Sequence, residues 1–146
     1  MLKYKKGYTT GVFDMFHIGH LNVLRNAKKY CEELIVGVST DELVEEYKKK
    51  KPIIPFNERI EIVSDVKYVD KVVYQKDMDK LKILLELECD VVFVGDDWKG
   101  TEKWRKYEEE FKEYGIDVIY LPYTKGTSST LLRELIYKEL ESLNHE

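Results

Sequence analysis

The chain has 146 residues, 43% of them hydrophobic and 36% charged, with a formal net charge of −4. That is one domain's length, enough to bury roughly 68–70% of the surface the unfolded chain exposes, and it describes an ordinary soluble globular protein. The acidic balance argues against bulk nucleic-acid binding and leaves room for local cationic clusters that hold phosphate.

Met1-Leu2-Lys3-Tyr4-Lys5-Lys6 carries positive charge with no apolar run behind it. No signal peptide or membrane insertion is therefore expected, and the expected location is cytoplasmic. Cys31 and Cys89 lack metal-ligand spacing and adjoin apolar runs, so both read as reduced thiols in or near the core.

Residues 8–13 read as a first strand and 18–30 as a helix with Ile18, Leu21, Leu24 and Ala27 on its inner face. The apolar run 34–38 suits a central parallel strand covered on both faces. Ser39 or Thr40 then caps a helix that ends in Lys48, Lys49, Lys50 and Lys51 before Pro52. After an extended connector, 52–55, a helix is expected over 56–66 with Ile60 and Val63 inward. A strand follows at 72–74, a helix at 77–87 with Leu81, Leu84 and Leu85 as its apolar residues, and a strand at 91–94. A charged helix over 101–114 stops at Gly115, a strand occupies 117–121, and a helix over 131–143 closes the chain. The tail 144–146 is expected to fray. The alternation makes this an α/β protein: a single domain with a Rossmann-like, doubly wound, five-stranded parallel sheet.

In such sheets ligands bind beyond the carboxyl ends of the strands, at a topological switch point. The unusual residues gather there. Asp14, His17 and His20 follow the first strand, Gly95-Asp96-Asp97-Trp98 the fourth, and Gly126, Ser128, Ser129 and Thr130 the fifth. His17 and His20 are three apart at a strand-to-helix turn, a spacing that puts both rings on one helical face. The helix start adds free N–H groups and a favourable dipole, so the turn suits a phosphate. There is no G-x-x-x-x-G-K-[ST], which argues against a P-loop kinase, and no G-x-G-x-x-G, which weakens a dehydrogenase reading.

Gly11-Val12-Phe13-Asp14-Met15-Phe16-His17-Ile18-Gly19-His20 resembles the G-x-F-D-x-x-H-x-G-H signature of the cytidylyltransferase-like nucleotidyltransferases. Glu58-Arg59, Gly95-Asp96-Asp97-Trp98 and Gly126-Thr127-Ser128-Ser129-Thr130 match further motifs in order, over about 8–132. The set is most similar to the glycerol-3-phosphate cytidylyltransferases. The resemblance implies attack of a substrate phosphate on the α-phosphorus of CTP, giving CDP-glycerol and pyrophosphate, with Mg²⁺ accompanying CTP. It implies that His17 and His20 hold the triphosphate, and that Lys48 and Lys50, taken across a one-residue gap, bind phosphate. Ser129 joins them, with Ser128 and Thr130, as hydroxyls at a helix start. Val12 and Phe13 approach the nucleotide through their backbone, Arg59 lies near the cytosine, and Asp96 or Asp97 reads its amino group. Trp98 either packs on the base or caps the core. Asp14 is open between a metal role and a turn role. A homodimer is implied, as is a supply of CDP-alcohols to cell-surface polymers or phospholipids.

The last motif departs from the pattern R-T-x-G-x-S-[ST]-T. Tyr123 stands where the relatives carry an Arg on the nucleotide phosphates, and a phenol supplies neither the fork nor the charge of a guanidinium. Lys125 and Arg133 are the cations near enough in sequence to compensate. The residues leave open choline, ethanolamine or another polyol phosphate as acceptor, adenylyl transfer instead of cytidylyl transfer, and a nucleotide-binding regulator without catalysis.

Overall fold

The computed structural model describes residues 4–122 and 124–144. Its elements run β1 (Tyr4–Gly11), α1 (Ile18–Lys28), β2 (Cys31–Ser39), α2 (Asp41–Lys48), α3 (Phe56–Ser64), β3 (Lys71–Gln75), α4 (Lys80–Glu86), β4 (Val91–Gly95), α5 (Glu102–Lys112), β5 (Asp117–Leu121) and α6 (Ser129–Asn144), with a single 3-10 turn at Asp96–Trp98. The sheet order is β3-β2-β1-β4-β5 and every pair is parallel. The expected five-stranded, doubly wound sheet is therefore what forms. Strand order reverses between β1 and β4, and the switch-point crevice opens at their carboxyl ends.

Alternate residues of the central strands feed two cores. On one face Leu34, Val36 and Val38 of β2 pack with Leu24 and Ala27 of α1 and Val63 of α3. On the other, Tyr8, Ile35 and Val92 pack with Leu84 of α4 and Trp104 and Phe111 of α5. Each such fully buried large side chain contributes roughly 1.5–3 kcal/mol over leaving it in water. Cys31 and Cys89 are buried and free, and burial pushes both thiols above their ordinary range, so neither is poised as a thiolate.

Several expectations are corrected. β1 starts at Tyr4, not at residue 8, because Tyr4, Lys6 and Gly7 already pair with Cys31, Glu33 and Leu34 of β2; Asp90 also accepts the backbone N–H groups of Lys5 and Lys6 at 3.1 and 3.0 Å. Phe13 has left the strand and carries φ 55°. Ile18 is exposed because the helix begins at that residue, beyond the sheet. Leu85 is exposed too: a seven-residue α4 buries Leu84 fully and turns the next side chain outward. α6 begins two residues earlier than expected and buries no residue, leaving Leu135, Tyr137, Leu140 and Leu143 exposed.

Tyr8 lies across β2 to reach β3, its hydroxyl donating to Gln75 Oε1, while Gln75 Nε2 donates onward to the Asp77 carbonyl. Gly37 makes this passage free. A Cβ built there overlaps the Tyr8 hydroxyl and comes within 2.8 Å of its Cζ. Gly37→Ala is expected to destabilise the fold by about 1–3 kcal/mol through overpacking, read as a lower urea midpoint with unchanged slope.

Candidate functional site

Six residues carry the chain from the end of β1 to the start of α1, and two of them, Phe13 and Met15, take positive φ (55° and 51°). This strained turn delivers His17 to the N-cap of α1. Its backbone is extended (φ −139°, ψ −177°), so the two histidines do not share a helical face by periodicity as expected. A capping box joins them instead. The Gly19 N–H donates to His17 Nδ1 at 3.0 Å, and the His17 N–H donates to His20 Nδ1 at 3.1 Å. The rings end 3.9 Å apart, centroid to centroid. Phe13 and Phe16 wall the His20 ring at 5.4 and 5.3 Å.

Two chemical consequences follow. Each Nδ1 accepts a backbone proton, so each neutral imidazole carries its own proton on Nε2. Loss of solvent also lowers the basicity of both rings. For His20 desolvation is the largest cause, reinforced by His17 and opposed by Asp14, and its pKa falls to about 4. At neutral pH the turn therefore presents two neutral Nε2–H donors beside the free N–H groups of a helix N-terminus, an arrangement suited to phosphate oxygens. Gly19 is required for it: a Cβ there would stand 2.8 Å from His17 Cε1 and 3.0 Å from its Nδ1.

Around this turn the other segments assemble. Asp14 is 3% exposed. Its carboxylate accepts the N–H groups of Ile53 and Ile54, both at 2.8 Å, and the Arg133 guanidinium at 2.8 Å. Its carbonyl accepts the Ser129 hydroxyl at 2.6 Å. Of the two roles left open for Asp14, these contacts are those of a brace for the turn. Ser129 touches the turn's backbone, Ser128 Oγ accepts the Leu131 N–H at 3.0 Å as a cap, and Thr130 is exposed. Gly126 holds φ 102°, a conformation that suits glycine. Asn22 of α1 donates to Thr124 Oγ1 at 3.1 Å, tying the loop to the helix. Tyr123 lies outside the described residues.

Arg59, expected beside the base, is buried to 1% exposure. Its guanidinium donates to the carbonyls of Val12 (2.6 Å), Ser39 (2.9 Å) and Ile54 (2.8 Å) and to Asp41 Oδ1 (2.6 Å). Here its side chain supports the turn, and the Val12 carbonyl is one of the groups it holds. Asp41 is an acid in the first turn of α2, and nothing in its spacing marks it as the partner of Arg59. Lys48 ends α2, and Lys49 caps it in a left-handed conformation. The Lys48 ammonium is less basic than usual, first through desolvation, then through Arg133 and Lys50, with Asp14 opposing. Those neighbours put it on the side of the histidine turn. Lys50 is exposed.

Across the crevice, Asp96, Asp97 and Trp98 form the 3-10 turn after β4, all three exposed. The Asp97 carboxylate folds back over Gly95, where a Cβ would come within 2.7 Å of Oδ1. Trp98 does not cap the core. That position belongs to Trp104, and Trp98 stands at the rim with the Lys103 ammonium 5.9 Å from its ring. Among the described residues, no group of three or more His, Cys, Asp and Glu could hold a metal ion, and no helix is long and apolar enough to cross a membrane.

A family model described as cytidylyltransferase-like matches residues 8–135. The chain belongs to the cytidylyltransferase-like family. It is a nucleotidyltransferase of that family. It is 35% identical over 133 residues to the glycerol-3-phosphate cytidylyltransferase of Bacillus subtilis strain 168, spanning 90% of this chain and 97% of that protein. It is 37% identical over 132 residues to the FAD synthase of Archaeoglobus fulgidus, spanning 90% and 95%. Among solved structures, the lipopolysaccharide core biosynthesis protein from Thermoplasma volcanium superposes with a TM-score of 0.69 at 30% identity, covering 85% of this chain and 99% of that one.

In this cytidylyltransferase-like protein the His20 pKa of about 4 lies below the ordinary value of 6.5. The unfolded chain therefore binds more protons than the folded one between those values, and stability falls as pH drops through that window. The loss due to His20 is on the order of 3 kcal/mol at most. Titration of the histidine ring signals by NMR should place the His20 midpoint well below 6. A midpoint above 6.5 would contradict the capping geometry.

Proposed function

We propose that the protein transfers a cytidylyl group from CTP to a small phosphorylated alcohol, glycerol 3-phosphate first. The observation that carries nucleotidyl transfer is the pair of neutral Nε2–H donors at the α1 N-terminus, fixed by the capping box beside the switch-point crevice. Similarity over nearly the whole length to the Bacillus glycerol-3-phosphate cytidylyltransferase supports the choice of nucleotide and acceptor. So does Gly95-Asp96-Asp97-Trp98, whose exposed carboxylates suit an exocyclic amino group.

The chemistry asks little of a base. A phosphate monoester is largely ionised at neutral pH, so its oxygen attacks the α-phosphorus directly. A new P–O bond forms to the acceptor phosphate as the bond to the β-phosphate bridging oxygen breaks, and that oxygen leaves with pyrophosphate. The protein's task is alignment and neutralisation of charge. His17 and His20 donate from Nε2 to triphosphate oxygens. Lys48 brings positive charge from the end of α2 and Lys50 from the α2–α3 segment, and the α6 hydroxyls line the same rim. Mg²⁺ enters as the Mg–CTP complex, an ion that typically keeps several waters and binds through substrate phosphates.

A second reading, adenylyl transfer, is favoured by the comparable identity to the FAD synthase of Archaeoglobus fulgidus. Pyrophosphate release, with Mg²⁺ and with CTP or ATP against a panel of phosphates led by glycerol 3-phosphate, separates the two. Release with CTP and glycerol 3-phosphate is expected. Release only with ATP would transfer the protein to the second reading, and no release with any pair would defeat both. In the active pair His17→Ala should cut kcat by about 10²–10³-fold, the usual loss when one preorganised donor is removed. Unchanged turnover would remove His17 from the mechanism.

A further inference from the structure

Of the two lysines of the proposed site, Lys48 is the last residue of α2, and Lys50 is carried by the segment that follows, which has little structure of its own. Between the end of α2 at Lys48 and the start of α3 at Phe56, no regular element forms. Among the described residues, the hydrogen bonds that hold its centre come from two buried charged side chains. Asp14 takes the Ile53 and Ile54 N–H groups, and Arg59 donates to the Ile54 carbonyl. Both also grip the β1–α1 turn: Asp14 belongs to it, and Arg59 holds the Val12 carbonyl. Asp14 further receives Arg133 from α6. One carboxylate thus joins the histidine turn, the lysine segment and the first turns of α6.

From this juxtaposition we infer that Asp14 is a positioning residue for the transfer reaction: it fixes the Ile53–Ile54 connector against the histidine turn and thereby sets the reach of Lys50, which lies on that connector, toward the triphosphate. The inference rests on the transfer reading above. Asp14 touches no reacting atom in this account. Its three donors engage both oxygens, and their work is to register two loops that share no backbone ladder. An aspartate is suited to it because two adjacent N–H groups and a guanidinium need acceptors only. An asparagine turns an NH2 group onto at least one of those donors, and a buried donor facing a donor is left unpaired.

The test is a double-mutant cycle read beside amide exchange. In Asp14→Asn, exchange at the Ile53 and Ile54 amides should accelerate by about tenfold or more, while the sheet amides of Tyr8 and Val36 keep their protection. In the wild-type background, Lys50→Ala should lower kcat/KM by about 30-fold, and in the Asp14→Asn background by less than about threefold, because the lysine is already misplaced. Losses that simply multiply, or unchanged exchange at the two connector amides, would overturn the inference. If Asp14→Asn does not fold, Asp14→Glu is carried through the same cycle. It keeps the charge and displaces the oxygens by one methylene, and the same non-additivity is expected. A wild-type protein that releases no pyrophosphate with any pair defeats the transfer reading itself, an outcome visible before any variant is compared.

Discussion

A helix must satisfy its first N–H groups with something, and α1 satisfies two N–H groups at its start with imidazole nitrogens. Serine, threonine or aspartate would cap more cheaply. The use of His17 and His20 has a chemical result that those residues could not give. Each ring spends Nδ1 on the backbone, which fixes its tautomer, its orientation and the direction of its remaining proton. Phe13 and Phe16 then dry His20 and hold it neutral. Secondary structure and reactivity are one interaction here, and Gly19, Phe13 and the strained turn are present because that interaction needs them.

Around the cap lies a set of buried charges. Asp14 and Arg59 are taken out of water, and each pairs with a partly exposed partner, Arg133 and Asp41. Such pairs add little net stability, since desolvation offsets most of their attraction, but breaking one costs about 3–5 kcal/mol. Their value in this fold is geometric. Strand ends, connector and α6 come from distant parts of the chain, and charge-assisted bonds specify direction where apolar contacts do not.

The sheet, its strand count and the sense of every pairing were legible in the sequence because alternation of apolar runs with helical periods leaves few topologies. The rim was legible as well: residues 14, 17 and 20, 95–98 and 126–130 gather at the carboxyl ends of β1, β4 and β5. What could not be read was which rim residues face a ligand and which face each other. Arg59 shows why. A charged residue next to Glu58 on a helix has the pattern of a solvated face, and only the fold brings three carbonyls and Asp41 to its guanidinium. Asp14 was marked by its motif, but its partners at 53, 54 and 133 are 39 to 119 residues away. The histidine pair was read by helical spacing, and the cap that actually joins them gives the same neighbours for a different reason.

The passage of Tyr8 over Gly37 to Gln75 constrains how this sheet can drift in sequence. The three positions occupy adjacent strands, and each tolerates change only in the company of the others. A side chain at 37 demands a smaller residue at 8, and a shorter residue at 8 leaves the amide at 75 without its partner in a buried site. Substitutions at these positions should show epistasis rather than additive cost. The most accessible route between two versions of this trio runs through a destabilised intermediate, so the arrangement tends to be inherited whole.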